Sequence, residues 1–254
     1  MGHDSRTTNH DSRLVWGNLH RSGNATVSGR FAGVRVLIRL LAPLMILAAC
    51  GRSAGPPPLA SAAPEAAGSE TLIVAFGDSL TSGYGLDDPD REAWPALLEE
   101  KLRRSGWNIR VANAGVSGNT TADALARVDF SVPEGARLVV VCLGANDTFR
   151  GKKIEEIEAN LDAILTRIRA RGAAVLLCEM KTFPNLGPFY ARGFERLFPA
   201  LAEKHDAILV PFLLEGVATE PTMNQADGIH PNAAGHRRIA ENLLPHLEAG
   251  LRRR

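Results

Sequence analysis

Cysteine is scarce in this chain. Cys50, Cys142 and Cys178 are its three cysteines, too few for a disulfide framework. The fold must rest on packing instead, and a hydrophobic content of 45% is ordinary for a domain that buries a core. Net charge is nearly absent as well, at +1 over 254 residues. That figure hides an asymmetry: residues 1–49 hold six Arg and two Asp, leaving 23 basic and 26 acidic residues beyond them. With no basic stripe in that remainder, a nucleic-acid partner is excluded. Long apolar runs are missing too. The most apolar stretch, Leu40 to Ala49, is interrupted by Pro43 and is too short to span a bilayer. No internal repeat is visible, and neither is the Gly-x-Ser-x-Gly elbow of ordinary α/β-hydrolases. Gly115-Val116-Ser117-Gly118-Asn119 approaches that elbow but ends in Asn, which makes Ser117 a loop hydrogen-bonder before it is a nucleophile.

What is present begins with a leader. Residues 1–33 are polar and rich in Gly, Ser, Asn and Arg, and two readings stand: a structureless leader, or residues preceding the true translation start. Arg35 and Arg39 then precede the apolar core at 40–49, the pattern of a secretory signal. Leu47-Ala48-Ala49-Cys50 resembles a bacterial lipobox, which implies lipidation at Cys50, export to the periplasmic side and a membrane anchor. Residues 51–70, including Pro56-Pro57-Pro58, read as a Pro-, Ala- and Gly-rich linker. The division expected is therefore 1–50 leader and signal, 51–70 linker, and 71–250 a folded domain.

Within that domain apolar runs and amphipathic stretches alternate. Strands are expected at Thr71–Phe76, Trp107–Ala112, Arg137–Leu143, Ala173–Met180 and Ala207–Phe212. Helices are expected at about 91–104, 120–128, 154–171, 188–204 and 232–247. Strands that alternate with helices give a parallel sheet covered on both faces. Cys142 and Cys178 fall inside two of the strands and read as buried thiols.

Four polar clusters sit just beyond these strands or before the last helix. They are Gly77-Asp78-Ser79-Leu80, Gly115 to Asn119, Gly144-Ala145-Asn146-Asp147 and Asp227-Gly228-Ile229-His230-Pro231. A parallel sheet gathers the C-terminal ends of its strands on one edge, so the clusters should converge. Gly-Asp-Ser taken alone is equally a helix cap or a turn that delivers a nucleophile. Pro231 pushes His230 out of helical conformation and into a loop. Asp227, three residues earlier, is then close enough to orient the imidazole of a base for Ser79. The Ser79 amide, the bare backbone of Gly115 and the Asn146 carboxamide are candidate oxyanion donors. Asp147 reads as a residue that stabilises its own loop. Phe149, Arg150, Phe183 and Leu186 lie on loops beside the same edge. They are candidates for an acyl groove, with core packing the equal alternative for Phe149, Phe183 and Leu186. For Phe194, Leu197, Phe198 and Leu201, at helical spacing, core packing is preferred.

Gly77-Asp78-Ser79-Leu80, Gly115, Gly144-x-Asn146-Asp147 and Asp227-x-x-His230 resemble, in order, the blocks of the SGNH (GDSL-type) hydrolases. The resemblance runs from about residue 71 to 248. It is closest to the bacterial multifunctional acyl thioesterase, lysophospholipase and arylesterase group, through Ala93-Trp94-Pro95-Ala96-Leu97-Leu98 and Asn146-Asp147-x-Phe149-Arg150-Gly151. It implies a flavodoxin-like three-layer α/β sandwich with a five-stranded parallel sheet. It also implies a Ser79 nucleophile with Asp227 and His230, an oxyanion hole of Ser79, Gly115 and Asn146, and no metal or organic cofactor. The expected substrate is a small acyl ester or thioester, with no obligate protein partner. A carbohydrate O-deacetylase and a non-catalytic, tethered lipid- or glycan-binding lipoprotein are the alternatives.

Overall fold

The computed structural model describes residues 69–182 and 184–253. Cys50, most of the linker and Phe183 lie outside the described residues. Five strands, β1 (Thr71–Gly77), β2 (Ile109–Gly115), β3 (Leu138–Cys142), β4 (Ala174–Cys178) and β5 (Ile208–Val210), form one sheet in the order β2-β1-β3-β4-β5. All four pairings are parallel. The expected five-stranded α/β fold is the fold observed. Ile73 to Phe76 and every residue of β3 are buried, because a strand covered on both faces has no polar side to offer.

Among the described residues eight α-helices accompany the strands: α1 (Ser79–Ser82), α2 (Pro89–Glu92), α3 (Trp94–Arg104), α4 (Thr121–Ser131), α5 (Ala145–Phe149), α6 (Ile154–Ala170), α7 (Pro188–Lys204) and, after β5, α8 (Ala233–Arg252). Helices α3 and α8 pack together, while α4, α6 and α7 form a second group, which gives three layers. Ile157, Leu161, Ile164, Leu165 and Ile168 of α6, and Phe194, Leu197, Phe198 and Leu201 of α7, are buried as expected. Phe194 and Phe198 meet edge to face with ring centroids 5.2 Å apart.

The expected helix at 91–104 is divided at Ala93, whose backbone is extended (φ −68°, ψ 146°) ahead of Trp94-Pro95. Strand β2 runs on to Gly115, because its last residues pair with the end of β1, Gly77 against Gly115. Helix α4 begins after Thr120, which forms a reciprocal capping box with Asp123. Helix α8 outruns its expected end and reaches Arg252. Gly250 packs there so tightly on Leu138 and Leu176 that a Cβ would lie 2.6 Å from Leu138 Cδ1.

Strand order reverses between β1 and β3, whose other neighbours, β2 and β4, lie to opposite sides. At such a switch point the loops after the two strands part and leave a crevice. The segments after β1 and β3 carry Ser79 and Asn146.

Candidate active site

Ser79 opens α1 directly beyond β1, with Asp78 as the helix cap. Asp78 Oδ1 accepts the Leu80 amide at 3.0 Å, so the capping role and the delivery of Ser79 are one arrangement. The turn needs Gly77: a Cβ there would lie 2.1 Å from Thr81 Oγ1 and 2.8 Å from the Cys142 carbonyl oxygen. The loop between β5 and α8 supplies the other two residues. Asn232 caps α8 by accepting the Ala234 and Gly235 amides, which leaves His230 just outside the helix.

These residues meet in sequence. His230 Nε2 lies 3.0 Å from Ser79 Oγ, and His230 Nδ1 lies 2.6 Å from Asp227 Oδ2. Asp227 Oδ1 accepts the amides of Ile229 and His230, each at 3.0 Å. Partial burial pushes the Asp227 carboxyl up, but the hydrogen bonds from the His230 ring and these two amides outweigh it and hold it below its ordinary value. Asp227 is thus ionised near neutrality and sits where it favours a proton on Nδ1, leaving Nε2 free to accept from Ser79. The Tyr84 ring stands 4.8 Å from the His230 ring, centroid to centroid, as a side wall.

The three candidate oxyanion donors differ. Ser79 is the first residue of α1, so its N–H has no partner within the helix. Asn146 Nδ2 donates to Asp78 Oδ2 and to the Asn119 carbonyl, both at 3.0 Å, which engages both of its hydrogens. Asp78 is 1% exposed, and burial pushes its carboxyl up to about 6. The Gly115 amide donates to Asn113 Oδ1 at 3.0 Å, and Gly115 does not line the cavity around Ser79. Its lack of a side chain serves packing instead, since a Cβ would stand 2.3 Å from the Ser82 amide nitrogen.

A cavity of about 130 Å³ opens on Ser79, Asn146 and His230. Leu80, Phe149, Met180, Phe212, Leu214 and Ile229 give its wall an apolar part, and Lys181 adds a cation. Phe149 lines the cavity and is 51% exposed at its rim. Arg150 and Leu186 do not line it. The Arg150 guanidinium is turned away, donating to the Gly118 carbonyl at 2.8 Å and facing Asp123 at 3.7 Å. Leu186 ends a short 3-10 turn, Pro184–Leu186, ahead of α7. The sequence reading did not include Met180, Lys181, Phe212 or Leu214. They follow β4 and β5, so the strand-end rule could have found them, but Met180, Phe212 and Leu214 carry no polar signature and Lys181 by itself reads as an ordinary surface lysine.

Asp147 holds a neighbouring helix rather than its own loop: its carboxylate accepts the Thr121 amide at 2.8 Å and the Thr121 hydroxyl at 2.7 Å at the start of α4. Ser117 is a loop hydrogen-bonder, 2.9 Å from Ser82 Oγ. Cys142 and Cys178 lie side by side on β3 and β4, buried, with Sγ atoms 3.2 Å apart. Burial pushes the Cys142 thiol well up and keeps it protonated. Among the described residues no group of His, Cys, Asp and Glu has the form of a metal site, and no helix is long and apolar enough to cross a membrane.

A parallel sheet ordered 2-1-3-4-5, with serine, imidazole and carboxylate linked by hydrogen bonds at its C-terminal edge, defines an α/β protein of the serine-hydrolase kind. Comparison with known proteins narrows the class. Residues 75–238 match the GDSL-like lipase/acylhydrolase family. The chain is 42% identical over 183 residues to the esterase TesA of Pseudomonas aeruginosa, covering 72% of this chain and 90% of that one. It is 37% identical over 184 residues to thioesterase 1/protease 1/lysophospholipase L1 of Escherichia coli, covering 72% and 86%. Its fold matches the crystal structure of AlinE4, an SGNH-hydrolase family esterase, with a TM-score of 0.60 and 44% identity over 73% of this chain and 98% of that one. The chain belongs to the GDSL-like lipase/acylhydrolase family and is an ester hydrolase.

Proposed function

We propose that the protein cleaves carboxylic esters or thioesters of acyl chains through an acyl-serine intermediate at Ser79. The observation that carries this reading is the hydrogen-bonded series from Ser79 Oγ through His230 to Asp227, at 3.0 and 2.6 Å. His230 Nε2 takes the Ser79 hydroxyl proton as Oγ attacks the acyl carbon. The protonated imidazole, held by Asp227, then gives that proton to the departing alcohol or thiol. Water, activated by the same nitrogen, attacks the acyl-serine and releases the acid. The oxyanion takes the Ser79 amide first and draws Asn146 Nδ2 away from the Asn119 carbonyl. Gly115 is the weakest of the three donors, since its amide is held by Asn113.

An apolar wall fits an acyl or aryl group better than a sugar ring, which places a carbohydrate O-deacetylase second. The cavity itself is small, at about 130 Å³, so any long chain must continue over the exposed rim at Phe149. The test is a hydrolysis panel of aryl esters, lysophospholipids and acyl thioesters across chain lengths, run beside Ser79→Ala. Turnover of at least one class is expected to fall by a factor of about 10³ or more in the variant; equal turnover in both proteins contradicts the reading.

The sequence further supports export and a lipid anchor at Cys50, with residues 51–70 as a tether and the hydrolase domain following from Thr71. In a bacterial host, Cys50→Ser is expected to lose lipid labelling and move from the membrane to the soluble fraction. Unchanged fractionation sinks the anchor and leaves the hydrolase reading intact.

A further inference from the structure

Lys181 is the one permanent cation among the described residues lining the cavity. Its Nζ lies 4.6 Å from the centroid of the Phe212 ring, and it forms no ion pair with a described carboxylate. Glu179, on the same segment after β4, is the acid whose charge it feels, and Glu195 repels that acid in turn. Neither reaches the ammonium as a partner. Met180, Phe212, Leu214 and Ile229 of the same wall carry no charge, and the one carboxylate among the lining residues, Asp78, is engaged by the Leu80 amide and Asn146 Nδ2.

Water solvates this ammonium while the cavity is open. A substrate that fills the cavity displaces that water, and an aromatic face returns only part of what an ammonium loses on leaving it. The deficit closes when the incoming molecule brings its own anion to the ammonium. We propose that Lys181 is a specificity-determining residue that favours esters carrying a carboxylate or phosphate close to the scissile bond. This rests on the reading of Ser79 as nucleophile and adds a substrate class to it. The anion can belong to the leaving group or to the acyl chain, and the chemistry of recognition is the same.

Two pairs of chromogenic esters separate these sources. One compares 3-carboxy-4-nitrophenyl butyrate with 4-nitrophenyl butyrate, placing the charge on the leaving group. The other compares the 4-nitrophenyl monoester of glutaric acid with 4-nitrophenyl pentanoate, placing it on the acyl chain. The quantity read is the ratio of kcat/KM for the charged ester to that for its neutral partner. In Lys181→Met this ratio is expected to fall about tenfold on at least one pair, and in Lys181→Arg to stay within about threefold of the original. Raising salt from about 0.02 to about 0.5 M is expected to lower the same ratio in the unaltered protein, a readout that needs no variant to fold. Ratios unmoved by both substitution and salt on both pairs overturn the proposal. Cleavage of the neutral esters that persists in Ser79→Ala overturns the underlying reading instead, so the two failures are distinct.

Discussion

At the scale of single residues, Asp227 does more than lend a charge. Its two oxygens collect three donors from one turn: the His230 imidazole and the amides of Ile229 and His230. The same contacts that hold its carboxyl below the ordinary value also hold the ring in place. Asp227→Asn keeps an acceptor for the amides but faces Nδ1 with a carboxamide, which no longer selects the Nδ1–H tautomer. Turnover is expected to fall by roughly 10³–10⁴-fold, mostly in kcat, the effect known for the same exchange in a serine protease. Steady-state kinetics on one aryl ester checks it, and a loss confined to KM contradicts the orienting role. Asp227, His230 and Ser79 were legible from sequence because Pro231, Gly77 and the strand-end pattern each carry a backbone reason for their positions. Asp78 was not legible as a buried acid. Nothing in Gly-Asp-Ser says that the carboxylate turns inward to Asn146 and Leu80.

At the scale of elements, α8 joins the site to the opposite layer. His236, on its first turns and 1% exposed, accepts the Trp94 amide of α3 through Nδ1 at 3.3 Å. Burial, and then the nearby charge of His230, push its pKa down from 6.5 to about 4. A histidine depressed in this way contributes stability that is fully present above pH 6.5 and lost as pH falls through about 4. Asp78 is linked in the opposite sense: its carboxyl, raised from 3.8 to about 6, favours the fold at low pH, and that contribution is lost as pH rises through about 6. Each linkage amounts to about 3 kcal/mol, so the two nearly offset between pH 4 and 6. His236→Asn keeps an acceptor for Trp94 and removes one of the pair. Between pH 7.5 and 4, urea unfolding is expected to show the variant losing about 3 kcal/mol less stability than the unaltered protein. Parallel curves for the two proteins contradict the assignment.

Element boundaries show where sequence patterning stops. Apolar runs located β1 and β3 because burial on both faces leaves a continuous signal. The end of β2 was missed because Asn113-Ala114-Gly115 has no strand character of its own and is held by pairing with β1. The last turns of α8, beyond 247, were missed because Gly250 argues against a helix, while its contact with Leu138 and Leu176 holds it.

At the scale of the whole molecule, strand order decides what can meet. Ser79 and His230 are 151 positions apart in the chain and 3.0 Å apart in space, because the first and last crossovers open on the same edge. A parallel sheet was legible from alternation of strands and helices, and so was convergence of the polar clusters, but alternation alone does not set the order β2-β1-β3-β4-β5. The cavity wall was not, since Met180, Phe212 and Leu214 look like any apolar loop residues until the sheet sets them beside Ser79. Such a wall, with Lys181 set over the Phe212 ring, is where the proposed preference for anionic esters would arise.

The claim on which the rest depends is that Ser79 forms the covalent intermediate with His230 as its base. A fluorophosphonate probe followed by peptide mass analysis tests it most directly. The adduct is expected on Ser79 in the unaltered protein, with its rate of formation reduced by about 10³-fold or more in His230→Ala. An adduct on another serine, Ser117 included, or labelling of Ser79 at an undiminished rate in His230→Ala, would contradict it.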